Sequence, residues 1–170
     1  MKLSIGVERA LSCCLVLAAA QRSVPAAGLA VILDLSPTYL AKQLQLLARA
    51  GLLTSAQGRS GGYRLARPAT GISVLDVVQA VGGSEYAFRC TEIRQRGPLA
   101  APSEACVGPC AVAAVMHAAE EAWRAALGAV TLADLAVDVS DDIGSGVVAA
   151  IHGGLSRQRD PARGEGHDLR

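Results

Sequence analysis

The sequence predicts a mainly α-helical protein with one small two-stranded β-hairpin. Apolar residues make up 51% of the 170-residue chain but aromatics only 3%. The core must therefore be built from Leu, Val and Ala, a composition that favours helices. Leu40, Leu44 and Leu47 recur at i, i+4 and i+7 behind a Ser36-Pro37 start signal. Two short β-type runs flank a single glycine-rich turn at residues 57–62. The length suits one domain, or a small domain with an extension and a tail.

Taken in order, residues 7–20 read as a first helix with Leu11, Leu15 and Ala18 on one face. Cys13 and Cys14 lie within it and read as small buried hydrophobes. Val24-Pro25 opens a second helix that runs to about Leu33. Ser36 is a good N-cap and Pro37 fits the first helical position of a third, ending near Ala50 before Gly51. Its leucine stripe faces inward, leaving Thr38, Lys42, Gln43 and Gln45 outside. Residues 52–55 and 63–66 pair as strands across a turn holding Gly58, Arg59, Gly61 and Gly62. Two helices, the second polar and basic outside, followed by a hairpin make a winged helix-turn-helix. Two stacked helices without a nucleic-acid role would share the apolar pattern, and the hairpin strengthens the first reading. The turn is no P-loop, because it lacks the Lys-hydroxyl pair and no helix follows at once.

Ser73 caps a short helix over residues 74–81, ended by Gly82-Gly83. A polar loop then carries Cys90, Cys106 and Cys110. A longer helix spans residues 109–127, with Val112, Val115, Met116, Ala119, Trp123 and Ala126 in one stripe, an interface or core pattern. Thr131 caps a last helix to about Val137. Residues 138–170 hold six Gly, five Asp and four Arg and read as a mostly disordered tail. His152 and His167 fall in that tail and His117 on the long helix, none a strong ligand candidate. The organisation expected is thus a DNA-binding unit over 1–83, a cysteine loop over 84–109, a dimerisation helix with the terminal helix over 110–137, and the tail.

The net charge of +1 hides an asymmetry. Residues 1–70 hold eight Lys/Arg against two acids, and residues 71–170 eight Arg against thirteen acids. A basic front half points to a polyanion, most often nucleic acid, against a fortuitous surface distribution. The apolar run at residues 10–20 is too short to span a bilayer, and Glu8 spoils it as a secretory leader. A cytoplasmic location with no membrane partner is expected, and five cysteines then suggest reduced thiols or cluster ligands rather than a disulfide framework.

Leu35-Ser36-Pro37-Thr38-Tyr39-Leu40, the LLARAGLL run at 46–53 and the GRSGGYRLARP run at 58–68 resemble the Rrf-type family of bacterial winged-helix regulators, with IscR-, NsrR- and CymR-like members. Residues 1–4, 72–81 and 131–135 match it too. The resemblance implies a homodimeric repressor or activator on a pseudo-palindromic operator in double-stranded DNA, not an enzyme. It puts Ser36, Thr38, Tyr39, Lys42 and Gln43 on the recognition helix and Gln57, Arg59, Ser60 and Tyr63 on the wing. Gln57 stands where many relatives carry arginine.

The cysteine spacing alone leaves three chemistries open. Zinc usually wants four ligands in two close pairs. A thiol switch could use Cys106 and Cys110, which can approach at helical spacing near a helix start. An iron–sulfur cluster takes thiolates along with other ligands. A redox enzyme or cluster carrier would use the same thiols, but needs neither wing nor basic half. Residues 7–8, 24–27, 39–43 and above all 90–100 resemble the RsrR-like redox-sensing subgroup. That resemblance implies a two-iron, two-sulfur cluster held by Cys90 and Cys110 of one subunit and Glu8 of the partner subunit. Cys106 is a reserve ligand. Ser12 stands where the subgroup has its histidine ligand, Arg9 where it has tryptophan, and Leu33 where it has a further histidine.

Overall fold

The computed structural model describes residues 5–58 and 61–144, with Gly146 and Gly153 beyond them. Six helices and one hairpin are seen there: α1 (Ile5–Ala20), α2 (Ala26–Ile32), α3 (Pro37–Arg49), β1 (Leu53–Ala56), β2 (Gly62–Leu65), α4 (Val74–Gly82), α5 (Ala111–Gly128) and α6 (Leu132–Ile143). Among the described residues no helix is long and apolar enough to cross a membrane.

Helix α1 is the centre of the packing and touches α3, α4, α6 and β2. Its fully covered side chains are Ala10, Cys13, Cys14 and Leu17, with Val7, Val16 and Ala20 nearly so. The expected inward face of Leu11, Leu15 and Ala18 is only half-buried. Small side chains let several neighbours approach α1 closely, so the covered surface follows Ala and Cys rather than the largest residues. Cys13 and Cys14 are core residues, as expected. Burial pushes both thiols up to about 12.

Pro25 is the N-cap of α2 rather than its first residue. Val24, just before it, exchanges two 2.9 Å backbone hydrogen bonds with Tyr63 and so stitches this corner to the hairpin. That close approach needs a glycine next door. A Cβ on Gly62 would lie 2.4 Å from the Val24 carbonyl. Ser36 caps α3 by accepting from the Tyr39 N–H at 3.3 Å. Leu40, Leu44 and Leu47 are fully buried. Gln43 was expected outside with the DNA-facing residues, but only 5% of it is exposed. It lies three residues after Leu40 and four before Leu47, and helical rotation turns it onto their face. The hairpin pairs Leu53 with Leu65 and Ala56 with Gly62.

Two capping boxes lock the remaining joints. Ser73 and Asp76 close the start of α4, and Thr131 and Asp134 close that of α6. The Asp134 carboxyl is held below its ordinary range by the Thr131 side-chain and backbone hydrogen bonds. The two starts pair with each other: Val74 N–H donates to the Val130 carbonyl and Leu132 N–H to that of Ile72, each at 2.8 Å. Leu132 is fully buried and α6 packs back on α1, so the terminal helix joins the front half. It runs to Ile143, past the end expected at Val137. The expected disorder of the tail, with His152 and His167, falls outside the described residues beyond Gly144.

Candidate sensor loop and nucleic-acid interface

The surface expected to face DNA begins at the N-terminus of α3, where Thr38 and Lys42 are exposed. Ser36 is exposed beside them, with its hydroxyl engaged as the cap. Tyr39 is half-buried, and the Arg9 guanidinium from α1 lies 4.7 Å from its ring centroid. On the wing, Gln57 is exposed. Tyr63 packs partly against the core. Arg59 and Ser60 lie outside the described residues.

From Gln79 to Val112 no residue is buried. Order in this stretch comes from polar contacts and from two attachments to α5. The first is at Cys110, the N-cap of α5, whose sulfur accepts from the Ala113 N–H at 3.3 Å. That hydrogen bond leads the effects that lower the Cys110 thiol, helped by Cys90, Val112 N–H and the Arg94 charge. Cys90 and Cys110 lie near enough to perturb one another, Cys110 raising the Cys90 thiol and Cys90 lowering that of Cys110. The Cys90 sulfur also lies 3.6 Å from Glu92 Oε1. A backbone hydrogen bond at Glu92 draws the Cys90 thiol down, but desolvation and the adjoining Cys110 sulfur outweigh it and raise it. The two thiols are therefore shifted in opposite directions, Cys110 down and Cys90 up.

Cys106 does not join them. It ends a separate 3₁₀ turn, Ser103–Cys106, and Gly108 and Pro109 break any helical continuity with Cys110. The separate turn thus takes Cys106 out of helical spacing with Cys110. No group of three His, Cys, Asp or Glu poised for a metal ion occurs within one chain among the described residues. Glu8 is exposed on α1, and Ser12, one turn on, donates its hydroxyl to the Glu8 carbonyl at 3.0 Å.

The second attachment is Arg124 on α5. It donates to the Ser84 and Glu85 carbonyls at 2.9 and 3.2 Å, lies 4.6 Å over the Tyr86 ring, and pairs with Glu120 at 2.9 Å. Tyr86 bonds Glu121, and both Tyr86 and Phe88 meet the His117 ring, at 5.4 and 6.2 Å. Residues 84–90 thus form a strap that runs antiparallel along α5, meeting positions 124, 117 and 110 in turn. The lengths agree: six extended steps cover about 20 Å and fourteen helical residues about 21 Å.

Glu92, Arg94 and Arg124 were not singled out from the sequence. The only local signals were a Glu-x-Arg alternation inside the loop and an i,i+4 Glu120–Arg124 pair. Neither says which backbone the arginine will reach.

Residues 3–138 match the Rrf2 family, described as iron-dependent transcriptional regulators. The chain belongs to that family. Among its relatives, IscR of Cereibacter sphaeroides is 40% identical over 85 residues, covering 48% of this chain and 55% of that protein. Protein rrf2 of Nitratidesulfovibrio vulgaris is 36% identical over 106 residues, covering 62% and 66%. Rv1287 of Mycobacterium tuberculosis, named as an HTH-type transcriptional regulator, is 32% identical over 141 residues, covering 80% and 81%. The matches to several of these relatives span roughly half to two thirds of the relative's own length. Among solved structures, T. potens IscR superposes with a TM-score of 0.63 at 22% identity, covering 85% of this chain and 93% of that one. Oxidised Staphylococcus aureus CymR gives 0.58 at 27%, covering 80% and 96%. The fold is the winged helix of the Rrf2 family, a family described as transcriptional regulators.

Proposed function

We propose that this Rrf2-family regulator is a cytoplasmic homodimer on a pseudo-palindromic operator, with DNA affinity set by a two-iron, two-sulfur cluster. Cys90 and Cys110 of one subunit hold one iron, and Glu8 of the partner subunit serves the other. The observation that carries this reading is Cys110 as the N-cap of α5, its sulfur accepting from the Ala113 N–H, with Cys90 near enough to perturb it. That donor set fits one end of a cluster, since two adjacent thiols form a ready chelate. The exposed Glu8 carboxylate fits the other. Ser12 donates its hydroxyl hydrogen to its own helix and offers only a neutral oxygen, so the last position falls to that oxygen, to solvent or to Cys106.

When bound, the cluster supplies one-electron redox chemistry and a charge that changes with it. The chain's own residues do the rest. At the N-terminus of α5 the Ala113 N–H donates to the Cys110 sulfur, which favours its thiolate form. Glu8 adjoins Arg9, which stacks on Tyr39 of the recognition helix, so a pull on α1 at Glu8 reaches the DNA-facing surface through one contact. The exposed face of α5, with Val112, Val115 and Met116, supports the dimer that brings two reading heads together. Signal and affinity are then linked by a shift between binding-competent and incompetent dimers.

Anaerobic purification with a visible spectrum and iron and acid-labile sulfide assays tests this. Cluster absorption that disappears in Cys90→Ala and Cys110→Ala, and weakens in Glu8→Ala, is expected. A colourless, iron-free protein after reconstitution overturns the cluster. DNA affinity should fall steeply with salt, as several phosphate contacts require.

A second reading has its own support. With a neutral serine where a stronger ligand would stand, and Cys90 and Cys110 near one another, the same pair works as a bare thiol switch. DNA binding that responds to a thiol oxidant in iron-free protein, and stops responding in Cys110→Ala, would select it.

A further inference from the structure

The stretch from Cys90 to Cys110 is long, exposed and poor in apolar contacts, yet its two ends are tied together by side-chain hydrogen bonds. Loop-closure entropy opposes such a meeting unless something inside the loop holds it. One residue is placed to do so. Arg94 Nε donates to Glu92 Oε2 at 2.9 Å, and Glu92 Oε1 faces the Cys90 sulfur at 3.6 Å. The Arg94 Nη2 donates to the carbonyls of Cys106, at 3.3 Å, and Gly108. Its own carbonyl accepts from the Ala101 N–H at 2.8 Å. A continuous chain of charge-assisted hydrogen bonds therefore runs from the Cys90 sulfur to the backbone leading into Cys110. Glu92 makes it possible by taking the left-handed conformation, φ 50°, which turns its carboxylate back toward both Cys90 and Arg94. Arg94 is also the less exposed member of its ion pair, at 25% against 44% for Glu92.

We propose that Glu92 and Arg94 form a clasp that sets the distance between Cys90 and Cys110, making Arg94 a positioning residue of the sensor. The clasp selects which cysteines meet. By holding the Cys106 carbonyl, Arg94 fixes the backbone at that residue without bringing its thiol into the pair. Lysine cannot replace it fully, because one ammonium cannot span a carboxylate and two carbonyls in the fixed geometry of a guanidinium. Arg96, two residues on, is exposed and serves as the control. The proposal rests on the reading of Cys90 and Cys110 as the sensor's thiols, but its test does not require a cluster.

The full chain, freed of metal, is oxidised with diamide, which takes up the two thiol hydrogens as an S–S bond forms. Mass spectrometry of the peptides follows which bond appears and how fast. The wild type is expected to close Cys90–Cys110 first. In Arg94→Ala that closure should slow about tenfold, the order expected when reacting groups lose their alignment, with the product spread to bonds involving Cys106. Arg94→Lys should recover part of the rate, and Arg96→Ala should match the wild type. Wild-type rate and selectivity in Arg94→Ala overturn the clasp. Should Arg94→Ala lose its helical signal, Glu92→Gln carries the test, with slower closure expected and unchanged closure refuting. Unchanged closure together with a bound cluster removes the clasp and leaves the sensor standing. Slowed closure in a protein that never takes up iron does the reverse.

Discussion

The front half of the chain and the stretch that follows it are ordered by different forces. The reading head encloses Leu29, Leu40, Leu44, Leu47 and Ile72 completely around α1, and α6 returns to seal it with Leu132. Between Gln79 and Val112 nothing is buried, and the chain is held by arginines, an aromatic strap and a pair of sulfurs. Burial gives a surface that keeps its shape, as a groove-reading helix requires. Polar attachment gives a segment whose arrangement follows the state of a few groups, as the proposed sensor requires. The division predicts that stability and signal response can be altered separately.

The sharpest break between the halves comes from deleting the same side chain in each. Leu44→Ala should cost about 2–5 kcal/mol, because α3 leaves an unfilled cavity against α1 and α2. Leu99→Ala, in a residue 96% exposed, should stay within about 0.5 kcal/mol. Urea unfolding followed by circular dichroism measures both. Equal losses would mean that the loop carries a core of its own.

Next in size is the α5 face. Val115→Glu places a charge on the exposed apolar stripe without touching the front half. Sedimentation should show a monomer, and operator affinity should fall about a hundredfold as two linked half-site contacts become one. A dimer that survives the change would move the interface elsewhere.

The thiols separate the halves by pH. Cys13 and Cys14 hold their protons up to about 12 in the folded chain, against an ordinary value of 9.0. Between those values the unfolded chain releases protons that the folded chain keeps. Stability must therefore fall as pH rises through that window, by about 1.4 kcal/mol per pH unit for each thiol. Cys13→Ala should halve this part of the slope in urea titrations from pH 9 upward. Cys110, shifted the other way, should be the first alkylated by iodoacetamide at neutral pH in metal-free protein, before Cys90. The two core thiols should react only on unfolding. Early labelling of Cys13 or Cys14 would show that α1 is not the closed centre described.

The head was largely legible in the sequence because its determinants are local and periodic. Leu40, Leu44 and Leu47 announce a face, and Ser36, Ser73 and Thr131 announce starts that the structure caps as expected. Gln43 escaped because residue type was weighed above helical angle. The end of α6 escaped for the same reason: Asp138, Asp141 and Asp142 gave it the look of a tail. Yet Leu132, Leu135, Ala136 and Val139 keep the i, i+3, i+4, i+7 spacing of its inner side. The sensor was legible only as a set of cysteines. The loop's arrangement is held by Arg94 and Arg124 reaching backbone 12 to 40 positions away in the chain, and no periodicity encodes that.

Arg124 gives the smallest effect and the most specific one. Its guanidinium is the far anchor of the strap, bonding the carbonyls where residues 84 and 85 leave α4 and lying over Tyr86. Cys110 is the near anchor. Arg124→Ala leaves the near anchor and the head intact, so the midpoint of thermal unfolding and the Cys90–Cys110 closure rate should barely move. What should change is local: amide exchange across residues 84–90 should quicken, by about tenfold for a strap held at one end. If the strap transmits the state of Cys90 to the dimer helix, the ratio of operator affinities between reduced and oxidised protein should shrink with it. Quicker exchange with an unchanged ratio would confine the strap to packing, and would route the signal through Glu8, Arg9 and Tyr39 instead.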